Sequence, residues 1–252
     1  YMKLTSTEIK DLLGASYVKE HTNVGRFMID NEISNHRVRV YTVENSNDVV
    51  VTHRGSKNSS DWIDNIGFGM VNALKSTSTY RMHLRVQKAA VKKYKKNNII
   101  VLGHSRGGLY AKQFYDDGLA KQLITYNKPV NLYNVVNDTI KPKKQDENEI
   151  ILRTEGDVVS SAQMLLKKND TDIVIPSKST NPLKEHSTDA IDNLDEEILV
   201  GTGRKVNFKK IRKQELKNFV KKNKKNMKNK HNVSGLNKKE LVDIVTKMIN
   251  TA

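Results

Sequence analysis

The residues best placed to do chemistry in this chain lie in the run Ile99-Ile100-Val101-Leu102-Gly103-His104-Ser105-Arg106-Gly107-Gly108. A serine hydroxyl is a weak nucleophile until a base takes its proton, so its oxygen must stand clear of the backbone and within reach of an imidazole. A very tight turn from a strand into a helix achieves this, and it requires small residues two positions either side of the serine. Gly103 and Gly107 meet that demand, an apolar strand precedes them, and a helical pattern follows. The backbone N–H of Arg106 then points toward an oxyanion developing on an attacked carbonyl, at the positive end of the helix. The spacing therefore predicts Ser105 as nucleophile in acyl transfer. His104 adjoins the serine, but neighbours on such a turn do not face each other, so it reads as a packing or hydrogen-bonding residue beneath it.

In the strand–turn–helix setting the expected chain order is serine, acid, histidine. Ile150-Ile151-Leu152-Arg153 reads as a later strand, and Thr154-Glu155-Gly156-Asp157 leaves it. Asp157 is the expected acid, with Glu155 its local competitor. Only His186 and His231 come later. His231 lies in a lysine-rich stretch, so His186 is the expected general base, held in its useful tautomer by Asp157. Asp189 and Asp192 are fallback orienters. Upstream, Thr52-His53-Arg54-Gly55-Ser56 ends a strand, and Ser56 is expected to supply a second donor to the oxyanion hole. Arg54 either balances buried carboxylate charge or faces solvent.

These residues need a scaffold. Thr5 with Glu8 reads as a capping box for a short helix bearing Ile9, Leu12 and Leu13. Strands are expected over 36–43, 48–53, 98–103, 123–126, 148–153 and 172–175. The run Val49-Val50-Val51 suits a strand covered on both faces. Helices are expected over 60–68, 78–96 and 105–117, the last closed by Gly118. Strands alternating with helices predict an α/β fold with a mostly parallel central sheet over residues 1–203.

Charge divides the chain at that point. Residues 204–252 hold 16 Lys/Arg against 3 Asp/Glu, which is +13 of the total of +16. Amphipathic patterning there predicts a small basic helical module, with a polar lysine-rich linker between two helices. Such a tail is expected to meet a polyanion. The expected contacts are Lys221, Lys222, Lys224, Lys225, Lys228, Lys230, Lys238 and Lys239, with DNA as the partner and an anionic membrane surface as the rival. The chain has no Cys, which excludes disulfides and thiolate metal sites. It holds no apolar run long enough to cross a bilayer. The first residues carry no signal-peptide pattern, so an intracellular or virion-packaged location is expected.

The body resembles the class 3 lipase family of α/β-hydrolases. That family has a strand ending F-R-G-S/T followed by D-W, matched here by His53-Arg54-Gly55-Ser56 and Asp61-Trp62. It has G-H-S-x-G-G, matched by Gly103 to Gly108, then an acid segment matched by Gly156, Asp157 and Val159, then a late histidine matched by His186. The resemblance implies an α/β-hydrolase fold with Ser105, Asp157 and His186 catalytic and Ser56 and Arg106 forming the oxyanion hole. It also implies carboxylic ester or lipid hydrolysis through an acyl-enzyme, with no cofactor or metal. His53 stands where the family has phenylalanine, Arg106 where leucine is frequent, and Ser160 where a proline is usual. The segment 69–77 is the lid candidate. Ser234 to Val242 resembles a SAP-type DNA-binding module. The rival class is a catalytically silent hydrolase-fold protein, a structural or binding component of a large DNA virus particle.

Overall fold

The computed structural model describes residues 2–56, 75, 77–129, 146–157, 160, 172–194 and 198–200. The expected helix at 60–68 with Asp61-Trp62, nearly all of the lid candidate 69–77, Val159 and the whole of 204–252 lie outside the described residues. Those last include the eight tail lysines and the SAP-like segment. The described residues belong to the unit Tyr1–Thr202.

Seven described strands form one sheet in chain order: β2 (Phe27–Ile29), β3 (Val38–Val43), β4 (Val49–His53), β5 (Ile99–His104), β6 (Gln122–Tyr126), β7 (Glu149–Thr154) and β8 (Asp172–Ile175). From β4 to β8 every pairing is parallel, whereas β2–β3 and β3–β4 are antiparallel. A two-stranded pair, β1 (Leu4–Thr5) with β9 (Leu199–Val200), stands apart from this sheet. The result is an α/β fold with a mixed, mostly parallel sheet flanked by helices, consistent with the α/β-hydrolase architecture.

Side chains alternate across the sheet, and the alternation sorts them into two layers. Val38 and Val40, Val49 and Val51, and Ile99 lie under α2 (Ser78–Tyr94), where they pack with Val86 and Ala90. Val101 and Leu123 meet Ala111 of α3 (Arg106–Asp116). Helices α2 and α3 connect successive parallel strands, and a right-handed crossover places both on one face. The opposite positions, Tyr41, Val43, Val50, Ile100, Leu102, Ile124 and Leu152, form a larger core with Ile9, Leu12 and Leu13 of α1 (Ser6–Ala15). Helix α1 begins with the expected capping box: Glu8 N–H donates to Thr5 Oγ1 at 3.1 Å, and Thr5 N–H to Glu8 Oε2 at 2.9 Å. The run Val49-Val50-Val51 is buried throughout, as two covering layers require.

Strand ends differ from expectation by one or two residues. Strands β1, β2 and β9 and helix α4 were not anticipated. Strand β2 is three residues long, too short to show alternation. Helix α4 (Pro182–His186) is a single turn capped by Asn181 and opened by proline. Among the described residues no helix is long and apolar enough to cross a membrane.

Candidate active site

Parallel strands end together, so β4, β5, β6 and β7 deliver their following residues to one rim of the sheet. Ser105 leaves β5 with φ 57° and ψ −133°, a backbone conformation costly for a residue with a Cβ, and α3 starts at the next residue. Two bonds hold it: Ser105 N–H donates to Tyr126 O at 3.0 Å, and Gly108 N–H to Ser105 O at 2.8 Å. The glycines flanking it touch backbone. A Cβ on Gly103 would sit 2.6 Å from Gly107 O and 2.7 Å from Gly108 Cα. One on Gly107 would overlap the carbonyl of His53 and sit 2.7 Å from Arg54 C. Gly108 packs against the Lys128 side chain, just beyond β6.

The strand β4 side closes on the serine equally tightly. A Cβ on Gly55 would lie 2.9 Å from Ser105 Cβ and 3.0 Å from Ser105 Oγ. Ser56 follows Gly55 directly, as Arg106 and the start of α3 follow Ser105. The Arg106 side chain runs along its own helix, its guanidinium carbon 6.0 Å from the Tyr110 ring centre.

Asp157 leaves β7 fully buried, and His186 comes from the end of α4. Asp157 Oδ1 and His186 Nδ1 are 2.9 Å apart. The second carboxylate oxygen accepts from Ser160 N–H at 3.0 Å. A proline at 160 could not make that bond, which gives the serine a physical role there. Glu155 is exposed and lies outside this arrangement. Asp192 pairs with Lys10 and Asp189 is exposed, so neither fallback orienter meets the histidine. Among the described residues no hydrogen bond joins Ser105 to His186; His186 lies against His104, the serine's neighbour, with ring centres 5.0 Å apart.

Three consecutive carbonyls anchor the histidine segment. Asn127 Nδ2 donates to Glu185 O at 2.9 Å, His104 Nε2 to His186 O at 2.8 Å, and the Tyr126 hydroxyl to Ser187 O at 3.1 Å. All three donors sit at the ends of β5 and β6. A carbonyl only accepts, so His104 carries its proton on Nε2, and Nδ1 is the acceptor from the Tyr17 hydroxyl at 2.7 Å. Tyr17 in turn accepts from Gly55 N–H at 2.9 Å. Burial pushes the Tyr17 phenol up to about 12 and the His104 imidazole down to about 3, so both stay neutral and the donor chain keeps its direction. His104 thus has the hydrogen-bonding role expected of it. It ties the Gly55 loop to the backbone of His186.

Sequence reasoning missed Tyr17, Tyr126 and Asn127. Asn127 carried a usable signal: it follows a strand, and its φ of 46° is a conformation asparagine tolerates. Tyr17 carried none, because its contact with residue 104 spans 87 positions.

On the other face, His53 Nε2 meets Gln87 Oε1 at 3.0 Å and His53 Nδ1 meets His83 Nδ1 at 3.1 Å. Gln87 donates its amide to Leu119 O, which fixes its oxygen toward His53. Where the resembled family has phenylalanine, this chain has a buried polar pair stacked near Phe114 and Tyr110. Burial lowers His53 to about 4; burial, then the adjoining His53 imidazole and the charges of Arg37, Arg54 and Arg106, hold His83 well below the usual imidazole range. Arg54 is buried and unaccompanied by any carboxylate in ion-pair range among the described residues, contrary to both roles expected of it. Its guanidinium lies over the Tyr17 ring instead, at 5.8 Å.

No protein-family model matches the chain, and no curated protein matches it. Solved structures do. The Lip2 lipase of Yarrowia lipolytica is 14% identical with a TM-score of 0.46, over 68% of this chain and 77% of that one. The Rhizomucor miehei lipase in complex with its propeptide is 14% identical with a TM-score of 0.43, over 76% and 78%. A triacylglycerol lipase from Penicillium expansum is 15% identical with a TM-score of 0.42, over 79% and 83%. All three are lipases.

Proposed function

We propose that this protein is a serine hydrolase that cleaves carboxylic esters, with a lipid or acylglycerol as the natural substrate class. Ser105 attacks the ester carbonyl while His186 Nε2 takes the hydroxyl proton. The oxyanion of the tetrahedral intermediate is held by the backbone N–H groups of Ser56 and Arg106. Collapse expels the alcohol, protonated by His186, and leaves an acyl-enzyme. Water, deprotonated by the same imidazole, then releases the acid. Asp157 keeps the His186 proton on Nδ1 and stabilises the imidazolium.

The observation that carries this reading is the 2.9 Å bond between His186 Nδ1 and the buried Asp157, made by two residues 29 positions apart on segments that leave the Ser105 end of the sheet. The positive φ of Ser105 and the backbone contacts of Gly107 support it. The bond from Ser105 to the imidazole is the one the reaction must form, and in ligand-free hydrolases such bonds commonly tighten only with substrate bound. Hydrolysis of a short-chain nitrophenyl ester tests the mechanism. Activity is expected to vanish in Ser105→Ala, and full activity in that variant would defeat the assignment. We also propose that residues 204–252, with their net charge of +13, bind a polyanion such as DNA.

A further inference from the structure

The register of β3 against β4 pairs Val38 with His53 and Arg39 with Thr52, so Arg37 stands opposite Arg54, and Arg54 N–H donates to Arg37 O at 3.1 Å. The positive charges of Arg37 and Arg39 both bear on the Arg54 guanidinium. Like charges directly opposite each other on an antiparallel pair destabilise it. Burial without a counter-ion adds to that cost, and Arg54 is only 6% exposed, with its Nε unpartnered. Arg39 has a use for its charge, donating to Asn35 O and Val18 O. Arg37 and Arg54 have no such acceptors and no carboxylate in range among the described residues. Arg106, which begins the helix after the serine, makes no ion pair among the described residues; its charge and that of Arg37 both reach Tyr110, and those of Arg37, Arg54 and Arg106 all reach His83.

The place of these charges is specific. Arg54 precedes Gly55, which contacts Ser105, and its guanidinium lies over Tyr17, whose hydroxyl holds the Gly55 N–H. The cationic cluster therefore adjoins the serine on the side opposite the Asp157–His186 pair.

We propose that Arg37, Arg54 and Arg106 form a subsite for an anionic oxygen group, a phosphate or a carboxylate, carried by the ester that Ser105 cleaves. The inference rests on the hydrolase reading above and narrows it to charged esters. Guanidinium groups suit such oxyanions because their planar donor forks match two oxygens at once. A bound anion would cancel the cross-strand repulsion and satisfy the unpartnered Arg54 nitrogen. A neutral triglyceride would leave both costs standing.

The test compares dihexanoylglycerol with dihexanoylglycerol phosphate, and nitrophenyl butyrate with nitrophenyl hemiglutarate, at low salt. The first pair reads a phosphate on the alcohol side, the second a carboxylate on the acyl side. The anionic member of at least one pair is expected to have the higher kcat/KM, by about tenfold. That ratio is expected to fall several-fold in Arg37→Gln and with added salt. Arg37 is partly exposed, so this variant keeps the test sound where Arg54→Gln does not fold. Ester cleavage with no anionic preference in either pair, or a preference unmoved by Arg37→Gln, would overturn the subsite and leave the hydrolase reading standing. If no ester is cleaved, the hydrolase reading fails instead, and the subsite is then read by titration calorimetry with hexyl phosphate. Binding weakened by Arg37→Gln would support it, and no binding would overturn it.

Discussion

One chemical change, glycine to alanine, is expected to act in opposite directions at two helical positions. At Gly14, in the last turn of α1, an added Cβ meets nothing within 4 Å. Gly14→Ala there gains about 0.5–1 kcal/mol from reduced backbone freedom in the unfolded chain. At Gly107, in the first turn of α3, the same methyl overlaps the His53 carbonyl and lies 2.7 Å from Arg54 C. Backbone must move to admit it, because both atoms belong to the end of β4 rather than to a flexible side chain. Overpacking of this kind costs about 1–3 kcal/mol or more, outweighing the gain in helix propensity. For a domain of this size each kcal/mol shifts Tm by about 2–4 °C. Gly14→Ala is therefore expected to melt about 1–4 °C above the parent. Gly107→Ala is expected to melt about 2–12 °C below it and to lose most esterase activity, since the displaced strand end leads into Gly55 and Ser56. Thermal unfolding followed by circular dichroism reads both. A Gly107→Ala protein melting within a degree of the parent, with unchanged turnover, would refute the claim that this contact sets the distance between β4 and α3.

Asp157→Asn should preserve the fold while lowering kcat about 10³–10⁴-fold, because the amide favours the wrong histidine tautomer; a tenfold loss or less would argue against a triad. Asn127→Ala removes the donor to Glu185 O and the acceptor of Thr154 N–H, so a loss of about 2–3 kcal/mol is expected, with activity falling as the His186 segment loosens. Acid sensitivity should follow from the buried imidazoles. The folded-state value for His53 lies at about 4, below the usual 6.5, so its stabilisation is complete above pH 6.5 and is lost as pH falls toward 4. That loss amounts to on the order of 3 kcal/mol from His53 alone, and denaturant melts of His53→Phe should show a shallower acid limb. Removing residues 204–252 is expected to abolish DNA binding in fluorescence anisotropy, and the intact chain should lose about 10³-fold or more in affinity between 50 and 200 mM salt. Equal affinity without those residues would place the binding elsewhere.

Much of the sheet was legible because its strands are short apolar runs broken by polar turns. Val49-Val50-Val51 and Ile99 to Leu102 can only be buried on both faces, and the Lys-studded face of α2 can only look outward. The glycines around Ser105 were legible for the same kind of reason, since steric demand within a few residues leaves a local mark. Strand β2 was not, because three residues carry no period. The Tyr17–His104–His186 chain was hidden too, being built from contacts between residues 87 and 82 positions apart, each of an ordinary type. Arg54 was misread because neither a solvent-facing nor a carboxylate-paired role fits it. Only the register that sets Arg37 opposite it exposes the clustered charge.

The central claim is that the oxygen of Ser105 is a nucleophile activated by His186. Reaction of the intact protein with a fluorophosphonate, followed by peptide mass spectrometry, tests it most directly. One phosphonyl adduct per chain is expected, on Ser105, and none in a folded His186→Ala variant over the same time. A folded protein that stays unlabelled, or carries its label on another residue, would contradict it.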